Sequence, residues 1–272
     1  MSRNTRTIVG IIAVIVVLAV IAFAYIWFSG GSGAPSATLS APTLAISTRP
    51  PTTAPTVAPT TAATSEVAAT VEATATSNAT AEATSAAAST SNLAVFNIAT
   101  DQSQVSFTLN EVLRGTKNQV VGKTNQVAGQ IGVDFSNPQN SQIGEIRIDA
   151  RSLATDDQMR DRTTRGQILQ SAQDKYEFIS FKPTAMSGLP ASVTIGTAFT
   201  FKVTGDLTIR DTTKPATFDV TVTPDSTSKI EGKATATVLR SDFGLTIPNL
   251  PMVANVDDAV QLEIDFVAAS AS

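Results

Sequence analysis

From Val105 to Phe266 the apolar residues of this chain recur mostly at every second position, and that spacing favours extended strands with one buried face. Phe107 and Leu109 follow Val105 in this way, and Ile131, Val133 and Phe135 repeat the step. It returns in Ile146/Ile148, Ile179/Phe181, Phe199/Phe201/Val203, Leu207/Ile209, Phe218/Val220/Val222 and Val260/Leu262/Ile264/Phe266. The pattern predicts about eight or nine strands. Ser136-Asn137-Pro138, Ser187–Pro190, Asp211–Pro215 and Pro224-Asp225-Ser226 read as the turns between them, so neighbours should be antiparallel. An all-β barrel or sandwich follows.

One segment departs from the alternation. Thr155-Asp156-Asp157-Gln158 fits a capping box, with Arg160, Arg162 and Arg165 further along as a helix dipole favours. A helix is expected from Asp156 to Leu169. Its apolar residues, Met159, Ile168 and Leu169, are few, so it either lies on the surface laced with ion pairs or lids one end of the barrel.

The first third of the chain cannot build such a core. Residues 29–91 are dominated by Ala, Thr, Ser and Pro, with Arg49, Glu66, Glu72 and Glu82 the only charges and no aromatic residue. That composition predicts a disordered linker, whose root-mean-square span as a coil of about 63 residues would be on the order of 45 Å. Before it, the uncharged run Ile8–Phe28 is long enough, at ~1.5 Å per residue, to cross the ~30 Å of a bilayer core. Arg3 and Arg6 precede this run and no basic residue follows until Arg49, which orients the remainder of the chain outward. A cleaved signal peptide is the alternative, although the run is long for one and Ser29-Gly30-Gly31 is a poor cleavage site. The organisation expected is therefore a membrane anchor over 1–28, a linker over 29–91 and one extracytoplasmic domain over 92–272.

Composition narrows the function. The chain has neither Cys nor His, which excludes thiolate nucleophiles and disulfides and removes the commonest general base and metal ligand. Three basic and three acidic residues precede Asn92, so the net charge of −4 belongs to the domain, and no basic face invites nucleic acid. A non-enzymatic role without metal or cofactor is expected.

Two further motifs carry a resemblance. Gly205-Asp206-Leu207-Thr208-Ile209-Arg210-Asp211-Thr212-Thr213-Lys214-Pro215 resembles the signature hairpin of the YceI-like proteins, and Leu239-Arg240-Ser241-Asp242-Phe243-Gly244-Leu245 resembles their second signature. Ser152–Asp156, Arg160-Asp161 and Tyr176–Phe181 are similar to the family's helical insertion and the strand after it. The resemblance covers roughly residues 94 to 268. It implies an exported lipocalin-like antiparallel barrel of about eight strands that holds a polyisoprenoid chain, such as a polyprenyl lipid or isoprenoid quinone, in its interior. The chain departs from that pattern in having no His, in placing Glu177 where a Pro is common, and in carrying the anchor and linker.

The alternating faces nominate the residues that would meet such a ligand. They are Phe107 and Leu109; Ile131 and Val133; Ile148; Phe181; Phe201 and Val203; Phe218 and Val220; and Leu262 and Ile264. The helix would add Met159 and Leu169, and the second signature Phe243, with Arg240 and Asp242 as a polar rim. Eight strands enclose just enough space for a solid core or for one small ligand; the residues alone favour the solid core, and the family resemblance reverses that in favour of lipid binding. A solid interior would instead suit a stalk-borne interaction module. Gly205 and Gly244 are expected at bends or bulges of a curved sheet.

Overall fold

The structure is a computed structural model that describes residues 39–40, 42–44, 93–249 and 253–270. The expected anchor, and all of the expected linker except residues 39–40 and 42–44, lie outside the described residues. No helix among the described residues is long and apolar enough to cross a membrane.

Those residues form one antiparallel sheet with little helix. It begins with β1 (Ala94–Ile98), the hairpin β2 (Gln104–Leu113) and β3 (Thr116–Thr124), and the short β4 (Val127–Ala128). Then come β5 (Gln130–Val133), β6 (Gln142–Ile143) and β7 (Ile146–Asp149). After the helical insertion follow β8 (Phe178–Ser187), β9 (Phe199–Ile209), β10 (Thr212–Pro224) and β11 (Lys229–Leu239). The short β12 (Val253–Ala254) and the long β13 (Ala259–Ser270) complete the sheet.

The strands run β4-β7-β8-β9-β10-β11-β13, each pairing with the next. β13 then divides its free edge: Gln261–Asp265 pair with β2, while Ala268–Ser270 pair with β1. Ser103 sits at this fork, its Oγ accepting from Val267 N–H at 3.1 Å. Through β1 the sheet continues into β5 and β6, a flap folded off the main curl. The result is a curled half-barrel, whose edge strand β3 is joined to the segment after β7 by a bridge between Lys123 and Ala154.

Every strand segment nominated by periodicity is strand in the structure apart from Phe135, which lies just past β5. The alternation missed β1, β3 and β11 and the two-residue β4, β6 and β12. β3 is largely polar, and β11 turns Ala234 and Ala236 inward where larger residues would have marked the pattern. Thr212–Pro215, expected as turn, is the start of β10, and the chain reverses at Arg210-Asp211 alone. Pro215 is tolerated because β10 pairs only with β9 there, its pairing with β11 starting at Asp219.

The glycines of the two signatures have identifiable reasons. A Cβ on Gly205 would lie 2.4 Å from Lys182 O and 2.8 Å from the Phe181 ring, opposite the bulge between Pro183 and Ala185. Gly244 ends the 3-10 turn Arg240–Phe243 with φ +64°, which an L side chain seldom adopts.

The expected helix is shorter than predicted. α1 spans Gln158–Thr163 and widens into a π-type turn over Thr164–Ile168, with Leu169 N–H donating to Thr164 O. Its N-cap is Asp157, whose carboxylate accepts from Arg160 N–H and is held below its usual pKa by that bond. Thr155 is not the cap; its N–H and Oγ1 both donate to the buried Asp161.

Candidate functional site

The interior of the half-barrel differs from end to end. One end is filled. The insertion, the Arg210-Asp211 hairpin tip and the Arg240–Phe243 turn close it, and Ile148, Leu153, Leu169, Ile209 and Phe243 are buried in its core. Arg151 and Arg165 fasten the insertion by donating to main-chain oxygens, Arg151 Nε to Ser171 O at 2.7 Å and Arg165 Nη1 to Leu153 O at 3.0 Å. Arg160 bridges Asp156 and the buried Glu111 of β2, which also accepts from Asn118 Nδ2.

The first signature belongs to this closure. Arg210, with φ 56°, donates from Nη1 to Ile168 O and lies over the ring of buried Tyr176, whose hydroxyl donates to Asp211. The hairpin tip is thereby tied to the insertion.

The other end encloses an apolar cavity of about 110 Å³. β8 to β11 supply Phe181, Phe201, Val203, Phe218, Val220 and Ala234, and β13 supplies Ile264 and Phe266. The flap adds Ile131, Val133 and Ile143 from the other side. Two loops complete the wall: 134–141 with Phe135 and Pro138, and 188–198 with Leu189 and Val193. Phe181 and Phe218 meet edge to face with centroids 4.8 Å apart, while Phe199 and Phe201 stack at 5.8 Å. Ser141 alone among the described lining residues has a polar side chain, and none of them is charged. No group of His, Cys, Asp or Glu able to hold a metal occurs among the described residues.

Asp134 shapes the first loop. Its Oδ1 accepts from Ser136 N–H and Asn137 N–H, each at 2.9 Å, and Oδ2 from Asn140 at 3.2 Å. The Asn137 bond contributes most to holding its pKa below the usual carboxylate value. A short carboxylate thus fixes the turn that presents Phe135 and Pro138 to the cavity.

The cavity gathers Ile131, Val133, Phe181, Phe201, Val203, Phe218, Val220 and Ile264 from the residues nominated by sequence. Ile148, Leu169 and Phe243 are instead core residues of the filled end. Phe107 and Leu262 pack half-buried against that core, and Leu109 is half-buried; none lines the cavity. Met159 is a correction: it is 67% exposed, because the helix is tied to β2 through the Arg160–Glu111 pair while Met159 turns to solvent.

Arg240 and Asp242 lie near the opposite end of β11 from the cavity. Arg240 donates from Nη1 to Leu245 O and from Nε to Asp257 O, holding its own loop, while Asp242 is exposed. Asp258, beside them, accepts from Ser241 Oγ, the main cause of its lowered pKa. Leu189, Val193 and Met186 are not among the site residues nominated by sequence, because loop and strand-end positions carry no period. Phe199, Val222 and Phe266 were visible in the alternation.

The family model of the YceI-like domain matches residues 96–268. The chain belongs to the YceI-like family. Among solved structures it resembles Burkholderia cenocepacia BcnA, with 21% identity, a TM-score of 0.50, and coverage of 63% of this chain and 99% of that one. A polyisoprenoid-binding domain from Saccharophagus degradans, implicated in plant cell wall breakdown, is 16% identical with a TM-score of 0.51, covering 66% of this chain and 99% of that one. These likenesses concern the fold. No curated protein matches the sequence.

Proposed function

We propose that this YceI-like protein binds an isoprenoid lipid, a polyprenyl chain or isoprenoid quinone, with its apolar tail in the cavity between the flap and β8–β11. The observation that carries this reading is the lining itself, which offers branched aliphatic and aromatic surface without a charge. Such a site recognises shape and apolarity, at about 0.8 kcal/mol per buried methylene. The ligand named for the Saccharophagus domain of the same fold supports the choice of isoprenoid.

A cavity of about 110 Å³ holds only part of a long isoprenoid, so the remainder passes out between the two wall loops or displaces them. The role is that of a binder or carrier. With neither His nor Cys in the chain and no carboxylate among the described lining residues, the cavity offers no general base to activate the Ser141 hydroxyl.

The uncharged run Ile8–Phe28 behind Arg3 and Arg6 supports a single-pass anchor with the domain on the extracytoplasmic side. Protease added to intact cells should then release the domain by cutting within 29–91. Protection until lysis would refute that orientation, and a shed form starting near Gly31 would favour a cleaved signal.

Mass spectrometry of an organic extract of the purified protein tests the ligand. An isoprenoid recovered near one per chain, displaced by added polyprenol, is the expected result. A lipid-free protein that takes up no polyprenol would overturn the proposal and favour an interaction module.

A further inference from the structure

The linker segment Pro42-Thr43-Leu44 lies against the face of β5 and β6 that turns away from the cavity. Leu44 N–H donates to Gln130 Oε1 at 2.7 Å. Gln130 is held in turn by its Nε2 donating to Asn97 Oδ1 on β1 at 2.9 Å, which aims the amide oxygen at the segment. The Leu44 side chain sits over two glycines: a Cβ on Gly132 would stand 3.0 Å from Leu44 Cδ2, and one on Gly144 3.2 Å from Cδ1. Pro42 and Leu44 are half-buried and Thr43 between them is exposed, the alternation of an extended segment laid on a surface. The seat is on the flap, whose other face puts Ile131, Val133 and Ile143 into the cavity wall.

We propose that Pro42–Leu44 is a strap, docked in cis on the flap, that braces the cavity wall and fastens the domain close to the chain's N-terminal segment. The bracing follows from position: β6 ends the sheet order, is two residues long, and pairs with β5 alone in that order, so an apolar contact from outside limits its opening. The fastening rests on the membrane-anchor reading. Without the strap, residues 29–92 separate Phe28 from the domain, and at 3.3–3.6 Å per residue they reach at most ~230 Å. With Leu44 seated, the path from Phe28 ends at Pro42 and reaches at most ~50 Å, and residues 45–92 drop out of it.

Hydrogen exchange on the full chain tests the strap without lipid or membrane. Leu44→Asp should raise exchange about tenfold at Gln130–Val133 and Gln142–Ile143 and leave β9 and β10 unchanged, while Thr43→Asp, at the exposed position, should change neither. Equal exchange in wild type and Leu44→Asp, or an equal rise in Thr43→Asp, would overturn the strap. The fastening is tested in vesicles of phosphatidylethanolamine and phosphatidylglycerol. In this cysteine-free chain a dye on Ser192→Cys is unique, and its energy transfer to a headgroup acceptor should fall at least twofold on adding Leu44→Asp. Unchanged transfer would overturn the fastening. A full chain that fails to float with vesicles would refute the anchor, and the fastening with it, while the exchange result still judges the bracing.

Discussion

The two ends of the half-barrel are made from the same alternating strands, yet one is filled and the other encloses a cavity. The difference lies in what the connections do. At the filled end the insertion contributes Leu153 and Leu169 to the core, and the 3-10 turn contributes Phe243. At the cavity end the loops 134–141 and 188–198 stand as walls, held by Asp134 in one case and lined by Leu189 and Val193 in the other. An inward-facing residue is therefore not a ligand contact until the connection above it is known.

The largest expected effect sits at the filled end. Phe243, 3% exposed, should cost about 3–5 kcal/mol when replaced by Ala, because the lost ring leaves a void that fixed neighbours cannot close. Denaturant titration measures the loss, and bound lipid per folded chain should stay unchanged. A fall in lipid of the same size as at the cavity would erase the distinction between the ends.

Val203 lines the cavity and is 3% exposed. Val203→Phe should change the stability of delipidated protein by less than ~1 kcal/mol, against ~1–3 kcal/mol for the same added bulk in a close-packed interior. Lipid recovered from the same preparation should fall several-fold. Leu262→Phe and Phe107→Trp, outside the cavity, should leave lipid near wild type.

A smaller effect should appear in acid. Asp134 has its pKa lowered in the fold by accepted hydrogen bonds, so it contributes stability that is fully present above its unfolded value near 3.8 and is lost as pH falls through the folded one. Melting curves between pH 5 and pH 2.5 should show a drop that Asp134→Asn reduces. That variant should also loosen the Phe135–Ser141 wall at neutral pH, read as faster hydrogen exchange there and not at the filled end. The smallest effect is expected at the exposed pair Lys202–Asp219 on the outer face of β9 and β10, where Asp219→Ala should alter stability by less than ~1 kcal/mol and leave lipid uptake intact.

Part of this was legible without coordinates. Side chains alternate across any strand, so Phe199, Phe201 and Val203 had to share one face of their strand, and Leu262, Ile264 and Phe266 one face of theirs, wherever the sheet lay. The signatures at Gly205–Pro215 and Leu239–Leu245 were visible too, although their charged residues serve the backbone: Arg210 reaches Ile168 O and Arg240 reaches Leu245 O. β3 and β11 were not legible, because polar and small residues carry little hydrophobic period. Met159 was misassigned because a helix of six residues presents too few positions for a stripe to show which side meets the sheet.

Residue identity and local spacing were enough for the face of each periodic strand, the turn after Pro224 and the absence of His and Cys chemistry. That the insertion fills one end, that the flap walls the other and that Leu44 comes to rest on Gly132 and Gly144, some ninety residues downstream, emerged from long-range packing. Those outcomes depend on which distant backbones approach each other and how closely. A one-dimensional pattern carries no term for that separation, whereas burial and hydrogen bonding depend on it directly.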